Sequence, residues 1–160
     1  MEPMYLEDLP AGLEVTTARR TLTESDIVTF AGVSGDFNPL HTDESFVREH
    51  TPFRGRIAHG LLVLAIASGL RSELDHVQSV AFLEVRREFV APTYPGDTIH
   101  ARWTVEEARP STSRPGTGVV RLRIEVMNQA GEVVQRGTDV WLVASRPGSP
   151  ADGSVVRREG

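Results

Sequence analysis

The segment at residues 58–70 decides the fold, and its sequence is AHGLLVLAIASGL. A histidine and a glycine precede a run in which almost every position is apolar, so no polar stripe remains to face water. A helix that is apolar on all sides is buried inside a protein and does not lie on its surface. We therefore predict a buried helix that begins at Gly60 and runs to about Leu74.

Four segments after this helix have the pattern of β-strands: residues 77–90, 99–106, 120–126 and 133–143. In the second and third segments, apolar and polar residues alternate with a period of two. Residues 128–131 are typical of a hairpin turn, and residues 109–118, rich in proline, serine and glycine, predict a loop. Strands that follow one another through short connections favour an antiparallel sheet.

The residues before the buried helix predict one strand and a helical insert. Residues 13–22 form the strand. Thr23 is expected to cap a helix that ends at Gly35, with Asp26 near its first amides, and Thr42 to cap a second helix through about Arg48. A sheet of about five strands covers a single apolar helix best by curling around it. The predicted fold is α+β: a hotdog fold with a short helical overhang insert.

The size and charge of the chain exclude several classes of protein. Its 160 residues suit one domain, which we place at residues 1–144, with a disordered tail at 145–160. The net charge is −5 without a basic stripe, which argues against nucleic acid as a partner. The longest apolar run, residues 61–67, is far shorter than the ~20 residues of a membrane span. With no cysteine and no signal-like start, we expect a soluble cytoplasmic protein.

Residues 35–41, GDFNPLH, place Asp36 and His41 at the two ends of a loop that Pro39 stiffens. A carboxyl group and an imidazole held together can remove a proton from water and deliver one elsewhere. Asn38 is placed to orient either group. The same pattern also suits plain turn chemistry, in which these side chains bind neighbouring backbone amides. On the residues alone, both interpretations stay open.

Gly60 stands where the buried helix begins, so unpaired amides and the positive end of the helix dipole surround it. Such a helix end can stabilise an oxyanion, and a glycine lets a carbonyl group approach closely. Close packing or a turn would explain the glycine equally well. His59 is either a packed core histidine or a neighbour of the site. His41, His50 and His59 match no standard zinc motif, so we expect no metal and no cofactor.

Three segments resemble the MaoC-like dehydratases, the family of (R)-specific enoyl-CoA hydratases. Residues 30–41, FAGVSGDFNPLH, resemble the family signature, and residues 55–62, GRIAHGLL, resemble the entry to its central helix. Residues 89–97, FVAPTYPGD, resemble its strand-turn segment. The three segments occur in order, and the resemblance covers residues 5–144.

This resemblance implies a hotdog fold that assembles into homodimers or higher oligomers. It implies a thioester substrate on coenzyme A or an acyl carrier protein, and a carbon–oxygen lyase of fatty acid metabolism that adds or removes water in the syn sense. Asp36 and His41 would handle the water, Asn38 would hold that arrangement, and the Gly60 amide would bind the thioester carbonyl, with His59 beside it.

Two other functions are open to a hotdog protein. A hotdog thioesterase commonly places a carboxylate on the central helix, but residues 61–72 contain no acid and Glu73 comes near the predicted end. A non-catalytic protein that binds acyl thioesters would not need the Asp36 and His41 pair. Four arginines, at positions 54, 56, 86 and 87, are either phosphate contacts or ordinary surface charges.

Overall fold

An antiparallel sheet and an apolar helix make up most of the structure, a computed structural model in which residues 2–149 are described. The helices are α1 (Glu24–Ser34), α2 (Pro39–Thr42), α3 (Glu44–His50) and α4 (Gly60–Ser68). The strands are β1 (Glu14–Thr16), β2 (Arg20–Thr21), β3 (Ser79–Phe89), β4 (Thr98–Pro110), β5 (Thr117–Met127) and β6 (Val133–Ala144). Short 3-10 helices span Leu6–Asp8 and Glu73–His76. The predicted α+β class is confirmed.

The strand order is β1-β4-β5-β6-β3, with β2 also paired to β4, and every pairing is antiparallel. The first strand is predicted as one piece over residues 13–22, which is wrong because it divides into β1 and β2. At the break, the Thr17 hydroxyl accepts a hydrogen bond from the Ala101 amide at 2.9 Å. The side chain thereby replaces the backbone partner that a continuous strand would supply.

The predicted alternation in β4 and β5 is confirmed by burial. Buried apolar residues of these strands pack against Leu62, Val63, Ile66 and Ala67 of α4 in one core. Burying the apolar face of the sheet against the helix is the main stabilising contribution to the fold. The sheet thus covers the helix as the hotdog prediction requires.

Helix α4 ends at Ser68, so the predicted extension to about Leu74 is wrong. Gly69 closes the helix through its amide, 3.0 Å from the Ile66 carbonyl. Ser72 then caps a separate 3-10 helix by accepting a hydrogen bond from the Leu74 amide. A glycine followed by a good capping residue stops a helix even where the apolar pattern continues.

The predicted capping of α1 is confirmed. The Thr23 hydroxyl accepts a hydrogen bond from the Asp26 amide, and the Asp26 carboxylate accepts one from the Thr23 amide. Gly35 ends this helix with a φ of +76°, in the left-handed region that glycine adopts without strain.

The cap predicted at Thr42 is wrong: Asp43 caps α3 by accepting a hydrogen bond from the Phe46 amide at 2.9 Å.

Strand β3 forms one edge of the sheet and contains two register irregularities against β6. Its Arg87 side chain is 2% exposed and lies 2.6 Å from Asp139 of β6, which is fully buried. Burial raises the pKa of Asp139 above its usual value, although the hydrogen bond and charge of Arg87 act in the opposite direction. Arg87 is therefore a structural ion-pair partner, and the suggestion that it contacts phosphate is wrong.

The tail predicted from residue 145 falls largely on residues 150–160, outside the described residues. Among residues 2–149, no helix has both the length and the apolar character needed to cross a membrane.

Candidate active site

Residues 36–38 link α1 to α2, and their own side chains hold them in place. Asp36 accepts a hydrogen bond from the Asn38 amide through Oδ1 at 3.1 Å. Asn38 caps α2 by accepting one from the Leu40 amide at 3.0 Å. The turn-chemistry interpretation is therefore correct for Asp36 Oδ1 and for Asn38, which both accept hydrogen bonds from backbone amides. It uses Asp36 Oδ1 and leaves the second carboxyl oxygen, Oδ2, directed elsewhere.

Asp36 Oδ2 faces the imidazole of His41, 3.9 Å from Nε2. The other ring nitrogen of His41, Nδ1, lies 2.7 Å from the Ile57 carbonyl oxygen. Because a carbonyl oxygen only accepts, Nδ1 carries the hydrogen, and Nε2 is the atom free to exchange a proton. The Nε2–Oδ2 separation is too long for a direct hydrogen bond and leaves both atoms available to a third group.

His59 is 3% exposed and lies behind this pair. Its Nε2 lies 2.9 Å from the backbone carbonyl oxygen of Asp36, and its ring stacks on that of His41 with centroids 3.7 Å apart. It does not line the neighbouring cavity. The structure thus places His59 near the site, as expected, but in contact with the two polar residues and away from the space a substrate could fill.

Gly60 is the first residue of α4, which has no side-chain cap. A Cβ atom at this position would lie 2.7 Å from two ring carbons of Phe89, so the close packing of Phe89 requires a glycine. The amides of Gly60 and Leu61 make no hydrogen bond within the described part of the chain. Both interpretations of Gly60 are therefore compatible: it permits close packing, and it presents an unpaired amide.

A cavity of about 420 Å³ lies between α4, the residues before it and strands β3 and β6. His41, Gly60 and Leu61 line it, together with a mainly apolar wall formed by Phe53, Ile57, Ala58, Val63, residues 89–93 and Gln135. This volume is within the range of small-ligand sites. The sequence prediction missed Gln135, although a polar residue inside the apolar strand pattern of residues 133–143 was a visible signal.

Ligand atoms of Asp36, His41 and His59 lie within 4.8 Å of one another, which raises the question of a metal ion. The two imidazoles are stacked, 3.7 Å apart and 28° from parallel. A histidine binds a metal in the plane of its ring, and these two planes meet only well beyond the ring edges. His41 Nδ1 and His59 Nε2 are also both directed to backbone carbonyls. The geometry favours a stacked pair over a metal centre.

The remaining candidate phosphate contacts lie outside the cavity wall. Arg56 binds Glu24 and Glu44. Arg54 is 71% exposed, stacks on the Tyr94 ring at 4.1 Å and lies 3.8 Å from Asp97. Arg86 lies in a charged groove formed with Glu88 and Arg136 among others. These arrangements fit the alternative interpretation that the arginines are surface charges.

Comparison with known proteins identifies the family of the chain. The family model described as "MaoC like domain" matches residues 10–128. The chain is 33% identical over 142 residues to the (R)-specific enoyl-CoA hydratase of Rhodospirillum rubrum, covering 89% of this chain and 93% of that protein. The crystal structure of a MaoC-like dehydratase from R. rubrum superposes with a TM-score of 0.80 at 36% identity, covering 90% of this chain and 99% of that one.

A more distant structure supports the fold alone. A Mycobacterium tuberculosis protein with a double hotdog fold superposes with a TM-score of 0.77 at 22% identity, covering 92% of this chain and 46% of that one. The predicted hotdog architecture and the predicted resemblance to the MaoC-like dehydratases are both confirmed. The chain belongs to the MaoC-like domain family.

Proposed function

We propose that this protein catalyses the addition of water to a 2-enoyl thioester, or its removal from a 3-hydroxyacyl thioester. The observation that carries the proposal is the 3.9 Å separation of His41 Nε2 and Asp36 Oδ2, beside a cavity that His41 and Gly60 both line. The R. rubrum relative named as an enoyl-CoA hydratase and the neighbour named as a dehydratase support the same chemistry.

A water molecule to one side of the pair can bind both groups, because two atoms 3.9 Å apart share points that lie within hydrogen-bond distance of each. The water oxygen adds to C3 of the enoyl group while one of its protons passes to the pair. A proton from the pair goes to C2, which gives the 3-hydroxyacyl thioester. Because both transfers come from neighbouring groups on one side of the substrate, addition is syn. Dehydration is the reverse of the same path.

Negative charge collects on the thioester oxygen during this reaction, because an enolate forms. The Gly60 amide at the start of α4 lies on the cavity wall and at the positive end of the helix dipole. A donor placed there stabilises the enolate more than the ground state, which lowers the barrier. Asn38 contributes by capping α2, the helix that holds His41. His59 holds Asp36 and His41 in place and does not contact the substrate directly.

The two alternative functions find less support in the geometry. A thioesterase of this fold would use an acid on the central helix, and α4 contains none. A non-catalytic binder would have no use for two titratable groups held 3.9 Å apart beside the cavity. We propose thioesters of coenzyme A or of an acyl carrier protein as the substrates, with no cofactor, and the cytoplasm as the compartment.

We further propose a homodimer formed through β3. This strand has a neighbour on one side only within the described residues, so its outer edge leaves backbone groups unpaired. Five of its apolar side chains are exposed: Val80, Phe82, Leu83, Val85 and Phe89. A second copy of the same edge would pair that backbone and cover those side chains.

The test follows the absorbance of the enoyl-thioester band with crotonyl-CoA. Wild type should consume the band, and Asp36→Asn or His41→Ala should lower kcat by about 10²–10⁴-fold with the fold intact by circular dichroism. Glu49→Gln removes an exposed carboxyl group of the same insert and should leave the rate unchanged. Near-normal rates in either site variant would exclude this mechanism. Release of free thiol would indicate a thioesterase. Saturable binding of acyl thioesters, without turnover at any acyl chain length, would indicate a non-catalytic binding protein.

A further inference from the structure

Gln135 of β6 is an amide side chain in a wall that is otherwise mainly apolar. It is 2% exposed, and its cross-strand partners are Phe89 and Val126. Its Oε1 is buried and has no hydrogen-bond partner among the described residues. An unpaired buried acceptor lowers stability, and an apolar side chain of similar size would avoid that cost. A polar residue kept at such a position points to a role beyond packing.

The amide nitrogen of Gln135 makes one well-defined contact. Nε2 lies 2.7 Å from the carbonyl oxygen of Gly60, which only accepts, so the orientation of the side-chain amide is fixed. That carbonyl belongs to the first peptide group within α4, and the N–H of the same peptide group is the amide of Leu61. A hydrogen bond to a peptide oxygen makes the N–H of that peptide a stronger donor.

No side chain caps the start of α4. Gly60 and Leu61 both line the cavity, and their amides are both unpaired within residues 2–149. The Gln135 side chain links this first peptide group to the sheet by a hydrogen bond, although 75 residues separate Gln135 from Gly60 in the sequence. It therefore constrains the peptide group that carries the Leu61 amide and raises the donor strength of that amide.

We propose that Gln135 is a positioning residue that aligns and polarises the Leu61 amide at the start of α4, beside the Gly60 amide, where the thioester oxygen becomes negative. The inference rests on the proposed function and adds to it a second donor, the Leu61 amide, and the side chain that prepares it. Gln135 acts through the backbone and does not exchange protons with the substrate.

Gln135→Met keeps the length and approximate volume of the side chain and removes the donor. We expect kcat for enoyl-thioester hydration to fall about 10- to 100-fold, while KM changes less than about threefold. The shape of the pH–rate profile should not change, because the variant does not touch Asp36 or His41. The matched control is Gln78→Met, since Gln78 Nε2 also donates to a backbone carbonyl, that of His76, but is exposed and far from the cavity wall. It should keep the wild-type kcat.

A bound chromophore reports the polarisation without turnover. A cinnamoyl-CoA with a para-dimethylamino group absorbs at longer wavelength when its carbonyl oxygen receives strong hydrogen bonds. Saturating wild type should shift the band to the red, and Gln135→Met should shift it less. Gln135→Glu, which lacks a donor when ionised, should show the same loss and regain rate as the carboxyl group becomes protonated at lower pH.

Wild-type kcat and a wild-type band shift in Gln135→Met would overturn the proposal. A rise in KM alone with an unchanged band shift would also overturn it and would assign Gln135 to packing of the cavity. If Gln135→Met does not fold, Gln135→Glu carries the same test. A wild type that polarises the probe but hydrates no enoyl thioester would count against the proposed function and not against the role of Gln135.

Discussion

The imidazole of His59 lies flat against that of His41, with ring centroids 3.7 Å apart and planes 28° from parallel. The same buried ring lies 2.9 Å from the backbone oxygen of Asp36 through its Nε2. One side chain at the start of α4 thus contacts both members of the proposed catalytic pair. The pair is held by the core and not only by its own loop.

His59 should therefore affect turnover more than substrate binding. His59→Phe keeps a ring for stacking and loses the Nε2 donor, whereas His59→Gln keeps a donor and loses the stack. We expect each to lower kcat about tenfold with little change in KM, as misplacement of catalytic groups does. The control is His50→Gln, since His50 stacks on Phe46 in α3 outside the site. A rise in KM with normal kcat would make His59 a substrate contact instead.

Gly60→Ala tests the close approach at the start of α4. The added methyl group would lie 2.7 Å from the Phe89 ring, which must move, and Phe89 lines the cavity. We expect kcat/KM to fall about 10²-fold, the scale expected for an ångström-sized misplacement. The double variant Gly60→Ala/Phe89→Ala should recover the melting temperature lost by Gly60→Ala. Failure to recover it would mean that the clash lies elsewhere than at Phe89.

The buried ion pair of Arg87 and Asp139 should show a strong asymmetry between single and double substitutions. Arg87→Met leaves the Asp139 carboxyl group buried without its partner, which should cost about 3–5 kcal/mol in urea denaturation. Arg87→Met/Asp139→Leu removes both charges and should recover most of that loss. If the double variant is no more stable than the single one, the attraction between Arg87 and Asp139 itself holds β3 against β6. The loss in the single variant would then not come only from an uncompensated buried charge.

The cap of α1 should make part of the stability depend on pH. Burial acts to raise the pKa of Asp26, but hydrogen bonds from Thr23 and the Arg20 charge outweigh it and lower the pKa below its usual value. A depressed carboxyl pKa stabilises the fold above the unfolded-state pKa, and this stabilisation is lost as pH falls through the folded-state pKa. Asp26→Asn should therefore lower the free energy of unfolding at pH 7 and have progressively less effect in acid. An equal loss at both ends of a pH series of urea melts would contradict this.

The dimer proposal predicts a change in mass for substitutions on β3. Leu83→Lys places a charge on the exposed apolar edge and should shift the sedimentation coefficient towards the monomer. Val28→Lys is the matched control, because Val28 is an exposed apolar residue on α1. The dimer through β3 would be excluded if Leu83→Lys kept the wild-type mass or if Val28→Lys alone dissociated it.

The sequence by itself determined the features that depend on nearby residues. Thr23 and Asp26 are three residues apart and cap α1 as predicted, Gly35 ends that helix, and the period-two pattern marks β4 and β5. Asp36 and His41 came together because only a short connection and the first turn of α2 separate them, although residues 39–41 form this helix and not the predicted loop. The prediction went wrong where two local signals competed: Asp43 and not Thr42 caps α3, and Gly69 ends α4 before the apolar pattern does.

Tertiary structure alone decided the contacts between segments that are distant in sequence. His59 reaches Asp36 across 23 residues, Arg87 reaches Asp139 across 52, and Gln135 reaches Gly60 across 75. Local rules extend over three or four residues of a helix or two of a strand. A contact between distant segments depends instead on strand register and on how the sheet closes over α4. For that reason the sequence identified the two groups proposed to move protons, whereas the fold identified the side chains that hold them in place.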